Sequence, residues 1–127
     1  MKKLLAFVAL FFSLFLLSAC KAPEKGDFVN VTVVLNDGES EVSRKVHKIA
    51  ENSSAFELLD EFYKLKYTES EFGVFLSEIQ LGKIVIVGAT ENQTFIAFYV
   101  NGESSMVGVS SYYVESGDVL TFTVEGW

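Results

Sequence analysis

The sequence predicts an α+β domain, a mixed sheet with one packed helix, preceded by an apolar leader. Three observations predict it. Residues from Phe28 to Lys48 alternate in strand rhythm around Asn36-Asp37-Gly38. One stretch, opening Ser54-Ala55-Phe56-Glu57, has helical spacing. Beyond Phe72 the chain returns to β-branched and aromatic runs punctuated by Gly, Asn and Asp.

The leader comes first. Met1-Lys2-Lys3 is a short basic start, and Leu4 to Leu17 is apolar apart from Ser13. This 14-residue run is shorter than the roughly 20 residues a spanning helix needs. Small residues then precede a cysteine in Leu17-Ser18-Ala19-Cys20. Basic start, apolar stretch and small-residue cleavage site make up an export signal. The tetrapeptide resembles the lipobox of bacterial lipoproteins. That resemblance implies cleavage before Cys20 and a diacylglyceryl thioether on its sulfur, with a further acyl chain (such as palmitate) on the new amino group. One acyl chain holds a protein to a bilayer only marginally, whereas two give lasting attachment. The expected location is the extracytoplasmic face of the cell membrane, with lipid as the anchor. Residues 1–19 are thus read as signal peptide, 20–27 as a lipidated tether containing the only proline, and 28–127 as one domain.

Charge narrows the partners. The leader holds two of the ten basic residues and no acids, so the mature chain carries 8 basic and 17 acidic residues, a formal charge of −9. It lacks the basic footprint of a nucleic-acid binder. Attraction to anionic head groups is also disfavoured, which leaves attachment to the lipid. Cys20 is the only cysteine, so the chain can form neither an internal disulfide nor a cysteine-rich zinc site.

The elements follow in order. Phe28 to Leu35 places Val31, Val33 and Leu35 on one face of a strand. Asn36-Asp37-Gly38 supplies turn residues that tolerate positive φ. Glu41 to Lys48 then pairs back, with Val42 and Val46 on one face and Ser43, Lys45 and His47 on the polar one. Ser54 and Glu57 form a capping box, and the apolar stripe Ala55, Leu58, Leu59, Phe62 and Leu65 predicts a helix from Ala55 to about Lys66. Strands are expected at Phe72–Ile79, Lys83–Val87, Thr94–Val100 and Val119–Glu125, with Thr94–Val100 central and Met106–Tyr113 a connection. Asn101-Gly102 and Ser116-Gly117-Asp118 read as turns. A hairpin, one crossing helix and later strands correspond to a β-grasp-like sheet.

The last third carries a second resemblance. Its landmarks are Phe98-Tyr99-Val100-Asn101-Gly102, Gly108, Ser110, Tyr112 and Gly117-Asp118-Val119. This plan resembles the C-terminal domain of transcobalamin and its stand-alone bacterial relatives, a family mostly labelled as of unknown function. The likeness covers about residues 28–127 and is strong from residue 94 onward. It implies a β-grasp-like fold and a surface that covers one face of a corrinoid. The family usually carries a Trp two residues before the Phe matched by Phe98; this chain has Ile96 there. The helical domain that supplies the other corrinoid face does not fit in 108 residues.

Ligand-facing positions are therefore expected at Ile96, Ala97, Phe98, Tyr99, Asn101, Gly108 and Tyr112, and the lipid at Cys20. Tyr113 and Trp127 also combine apolar area with a polar handle. His47 is read as an exposed side chain. Glu39/Glu41 and Glu69/Glu71 are read as solvated loop charge, and Ser110 and Ser111 lack a histidine in a nucleophile arrangement. No enzyme and no resident cofactor are expected. The expected function is a small-ligand binding or transport-accessory module, with a corrinoid as the candidate ligand and a transporter or surface protein as partner. The alternative is a structural or adhesive module that contacts a protein or cell-wall polymer.

Overall fold

The computed structural model describes residues 23–127; the leader and Cys20 lie outside the described residues. The hairpin forms as its alternation predicts, from β1 (Phe28–Asn36) and β2 (Glu41–Ala50). Between them the Asp37 carboxylate accepts from the Glu39 and Ser40 amides, and Gly38 takes φ +101°. Those amide bonds hold the Asp37 carboxyl below the usual carboxylate range. Val31, Val33 and Leu35 are fully buried on the inner face of β1.

The faces of β2 are the reverse of the expectation. Opposite residues of a ladder share a face, and Val31 pairs with His47, Val33 with Lys45 and Leu35 with Ser43. Ser43 and His47 therefore turn toward the core, and Val46 is left 64% exposed. The cause is a register shift at Leu35/Asn36, which leaves Val42 out of the ladder. A one-residue slip sends every later side chain to the other face.

Helix α1 (Ala55–Phe62) begins as the capping box predicts. Ser54 Oγ accepts from the Glu57 amide at 3.0 Å, and the Ser54 amide donates to Glu57 Oε1 at 3.1 Å. The helix stops a turn earlier than its apolar stripe implies. Tyr63 is extended (φ −130°, ψ 157°), and its amide closes the last turn on the Leu59 carbonyl. The chain then enters β3 (Lys64–Ser70), a strand the periodicity missed. Leu65, read as helical, stands opposite Ile79 in a ladder with β4 (Gly73–Leu81). Pairing with β4 satisfies backbone groups that a longer helix would have paired internally.

β5 (Ile84–Val87) completes a three-stranded antiparallel sheet in the order β3-β4-β5. A short 3-10 turn, Thr90–Asn92, leads to β6 (Thr94–Val100), and the two-residue β7 (Glu103–Ser104) follows the Asn101-Gly102 turn. Asn101 and Gly102 take φ +52° and +86°, the paired positive values of a tight hairpin turn. β8 (Val119–Gly126) closes the larger sheet, ordered β2-β1-β8-β6-β7. β8 runs parallel to β1 and antiparallel to β6. The middle strand of the five is thus β8, flanked by β1 and β6. β6, expected at the centre, has only β7 beyond it, and all seven of its residues are half-buried.

The core lies between the large sheet and a layer made of α1 and the small sheet. It joins Leu35, Leu120 and Phe122 to Leu58 and Leu59, and these to Ile79 and Ile86. Each such side chain contributes about 1.5–3 kcal/mol by leaving water. Val109 and Val114 of the long connection are buried in the same cluster. At Gly88 two backbones approach closely: a Cβ there would lie 2.7 Å from Phe95 Cα and 2.8 Å from Ile96 N. Gly88→Ala should therefore lower stability by about 1–3 kcal/mol in urea denaturation. Gly108, with open space around it, should accept Ala within about 0.5 kcal/mol. Equal midpoints for the two variants would contradict the close approach.

Candidate functional site

The site is organised by Asp118, read in the sequence as a turn residue and a landmark of the resemblance but not as a site residue. Asp118 is 4% exposed. Its Oδ2 accepts from the Tyr112 hydroxyl at 2.7 Å and from the Glu115 amide at 2.9 Å, and its Oδ1 accepts from Asn101 Nδ2 at 3.1 Å. The Asn101 Oδ1 in turn accepts from the Val119 amide at 2.8 Å, and the Asn101 amide donates to the Val119 carbonyl at 2.8 Å. The β6–β7 turn is thereby locked to the middle and the end of the connection that leads into β8. Burial, and then the hydrogen bond to the Asp118 carboxylate, push the Tyr112 hydroxyl far above its ordinary range. It remains a protonated donor throughout the physiological range.

The connection is tied to the helix as well. The Ala55 and Phe56 amides donate to the carbonyls of Tyr112 and Val109, both at 2.9 Å. With Ser54 serving the next two donors, the helix N-terminus has no free amide in its first turn. Tyr113 forms a bridge with Ser54, and Ser110 Oγ accepts from the Val74 amide. The Tyr113 backbone and the Ser110 hydroxyl are thus engaged by the fold.

Beside the lock is an open groove of about 520 Å³, within the size range of small-ligand sites. Its lining includes Val100, Met106, Val107 and Tyr112 as apolar surface and Asn101, Glu103, Ser104 and Ser105 as polar groups. Met106 is 97% exposed at its rim. The other depressions described on the surface are smaller.

The expected ligand residues do not share one surface. Ile96 and Phe98 pair with Val124 and Phe122 and pack toward the core, with Phe98 stacked on Phe122 at 5.0 Å. Ala97 and Tyr99 alternate to the opposite face, where the Tyr99 hydroxyl donates to Glu125 Oε2 at 2.6 Å. Asn101 and Tyr112 do meet, through Asp118, and both line the groove. Gly108 is exposed in the connection and does not line it. Trp127 lies against Phe95, with ring centroids 6.0 Å apart. Sequence reasoning did not single out Glu103, Ser105 and Met106, which lie in the Asn101–Tyr112 loop expected to meet a ligand, nor the Asp118 hub. The Gly117-Asp118 pair was the available signal, and a buried acid looks the same in sequence as a turn acid.

His47 is not the exposed side chain expected. It stacks on Phe62 at 4.3 Å, and its Nε2 lies 2.8 Å from the Tyr63 hydroxyl. Burial, then the nearby Lys45 charge, lower its pKa, with Glu61 opposing. Burial raises the Tyr63 hydroxyl to about 12. Among the described residues no group of three or more His, Cys, Asp or Glu is placed to hold a metal ion. Glu41 is engaged by Arg44 at 2.6 Å, and Glu69 and Glu71 are exposed on the β3–β4 hairpin.

Fold and site together define a small α+β domain whose loops are locked on a buried carboxylate beside an open groove. Residues 52–126 match the family described as Domain of unknown function (DUF4430), and the chain belongs to that family. No curated protein matches it. Among solved structures it is similar to a Ruminococcus gnavus ATCC 29149 protein described as a "putative metal binding protein". The identity is 16%, the TM-score 0.61, and the match covers 78% of this chain and 98% of that one. It is also similar to haptocorrin in complex with Cbi, at 14% identity and TM-score 0.66, over 87% of this chain. The match spans only 28% of the haptocorrin chain. At these identities the likeness is one of fold.

Two outcomes test the geometry. Tyr112→Phe should cost about 1.5–3 kcal/mol, the range for a hydrogen bond to a charged group. An unchanged urea midpoint would show that Asp118 does not need it. For His47, the lowered pKa means that the unfolded chain binds the proton more readily. Its contribution to stability is complete above the ordinary value near 6.5 and is lost as pH falls through the lower folded value. Wild type should therefore lose stability more steeply than His47→Gln on acidification below about pH 6.5. Parallel pH profiles would refute the burial of His47.

Proposed function

We propose that this chain is a lipid-anchored extracytoplasmic protein whose domain is a small-ligand binding or transport-accessory module. The observation that carries the reading is the groove beside the Asp118 lock. It offers apolar area at Val100, Met106 and Tyr112 next to polar groups at Asn101, Glu103 and Ser105, the mixture that orients a small ligand. A corrinoid is the first ligand to test. The fold shared with part of haptocorrin supports that choice, as does the resemblance of residues 94–127 to the transcobalamin C-terminal domain. The β-grasp-like reading of the sheet draws support from the hairpin, the crossing helix and the parallel β1–β8 pair. One open face encloses little of such a ligand, so affinity alone is weak, and a transporter or second protein completes the site. We assign no catalytic residue.

A structural or adhesive role has its own motivating observation. Phe72 at the tip of the β3–β4 hairpin is 91% exposed, and Phe75 is also exposed. Large exposed aromatics are the usual material of protein contacts.

Cobalamin and cobinamide titrations of the soluble domain decide between the two. Binding at the groove predicts a saturating absorbance change that Met106→Glu abolishes. The absence of both heat and absorbance change at high micromolar ligand would remove the corrinoid. For the anchor, Cys20→Ala should release the protein from membranes in alkaline carbonate, and its retention would defeat the lipid reading.

A further inference from the structure

We propose that the domain stands on its lipid in a fixed attitude, with the end of the large sheet that bears Phe28 and the Asn101 and Ser116 turns facing the bilayer. The inference rests on the reading of Cys20 as the lipidated residue. The segment before β1, expected to be a short tether, is fastened to the domain along four residues. The Glu24 carbonyl accepts from Asn52 Nδ2 at 2.8 Å, and Lys25 pairs with Glu57. The Gly26 amide donates to the Glu51 carbonyl at 3.0 Å, and the Glu51 amide donates to the Asp27 carbonyl at 2.9 Å. The last two bonds carry the β1–β2 pairing past its end at Phe28 and Ala50.

Only the links from Cys20 to Glu24 remain to span the distance to the lipid. Four links reach about 14 Å at full extension. β1 then rises away from that root by about 3.3 Å per residue. The Asp37–Ser40 turn therefore lies roughly 30 Å farther out, beyond the reach of a reversed domain on so short a lead.

Strand direction decides what else is near the root. The Gly117 amide donates to the Asn30 carbonyl, and Asn101 pairs with Val119, which stands beside Thr32. The Ser116–Gly117 turn and the Asn101 corner of the groove are therefore at the bilayer end. The Phe95–Trp127 pair is at the far end, where Thr94 meets Gly126. Phe28, 74% exposed at the root, is the apolar side chain presented to the surface. Glu24, Asp27 and Glu51 lie at that end together with Lys25 and Lys48. This mixed charge gives no net pull toward anionic lipid, so a zwitterionic surface is the one to test.

The test uses the lipidated full chain in phosphatidylcholine vesicles that contain a lipid with a nitroxide at its head group. A fluorophore is placed on Ser116→Cys or on Ser40→Cys, both exposed positions outside the groove. The Ser116 label should be quenched several-fold more than the Ser40 label. Inserting ten Gly/Ser residues between Pro23 and Glu24 should abolish that difference while the protein still floats with the vesicles. Flotation with equal quenching, or stronger quenching at Ser40, would overturn the attitude alone. Failure of the parent chain to float would overturn the Cys20 reading, and the attitude with it.

Discussion

A carboxylate taken out of water must find hydrogen-bond donors, and the candidate site is built around that need. Burying an unpaired charge costs several kcal/mol. Asp118 meets the requirement with donors from Tyr112, Asn101 and the Glu115 backbone. Tyr112 and Glu115 belong to the connection before β8 and Asn101 to the β6–β7 turn, so satisfying one group ties that turn to the connection. The effect spreads through Tyr112, whose carbonyl receives the first amide of α1. Groove wall, long connection and helix start are thus coupled to the same few hydrogen bonds. Its main chain takes part as well, since the Asp118 carbonyl accepts from the Thr32 amide at 2.9 Å. That bond fixes the point where β8 enters beside β1.

The second constraint is the separation of faces along β6. A strand offers alternate residues to opposite sides. The run Ile96-Ala97-Phe98-Tyr99 therefore cannot be one binding surface, however well its composition suits one. Ile96 and Phe98 belong to the core, whereas Tyr99 is engaged by Glu125 on the other side. The part of the resemblance that acquires a geometric meaning is the set Asn101, Tyr112, Gly117 and Asp118. Its shared landmarks are the members of the lock and the turn that carries it.

Much of the fold was legible in residue order. The capping box, the inner face of β1, the Asn101-Gly102 turn and the limits of β6 all follow from local chemistry. The misreadings of Leu65 and His47 share a cause: each depended on a partner more than ten residues away in the chain. Leu65 fits a helical stripe as well as a strand, and only β4 decides between them. The faces of β2 depend on one register shift beside Asn36. His47 looked exposed because it neighbours Lys45, yet Phe62 and Tyr63 cover it from the helix end. In the site, Asn101 and Tyr112 were legible from the landmarks. Asp118 was visible as a turn residue, but its burial depends on loops that meet only in three dimensions.

The parallel pairing of β1 with β8 has a consequence for how the domain comes into being. The first and last strands in sequence are neighbours at the middle of the large sheet. A growing chain that ends before Val119 has β1 with one neighbour and β6 with no partner but the two-residue β7. It also lacks Leu120 and Phe122, two fully buried members of the core. Contacts this distant in sequence carry a loop-closure cost that local contacts do not. Formation of the sheet therefore waits until almost the whole chain is available. A polypeptide built this way completes its large sheet late, after the hairpin, the helix and the small sheet have all been made.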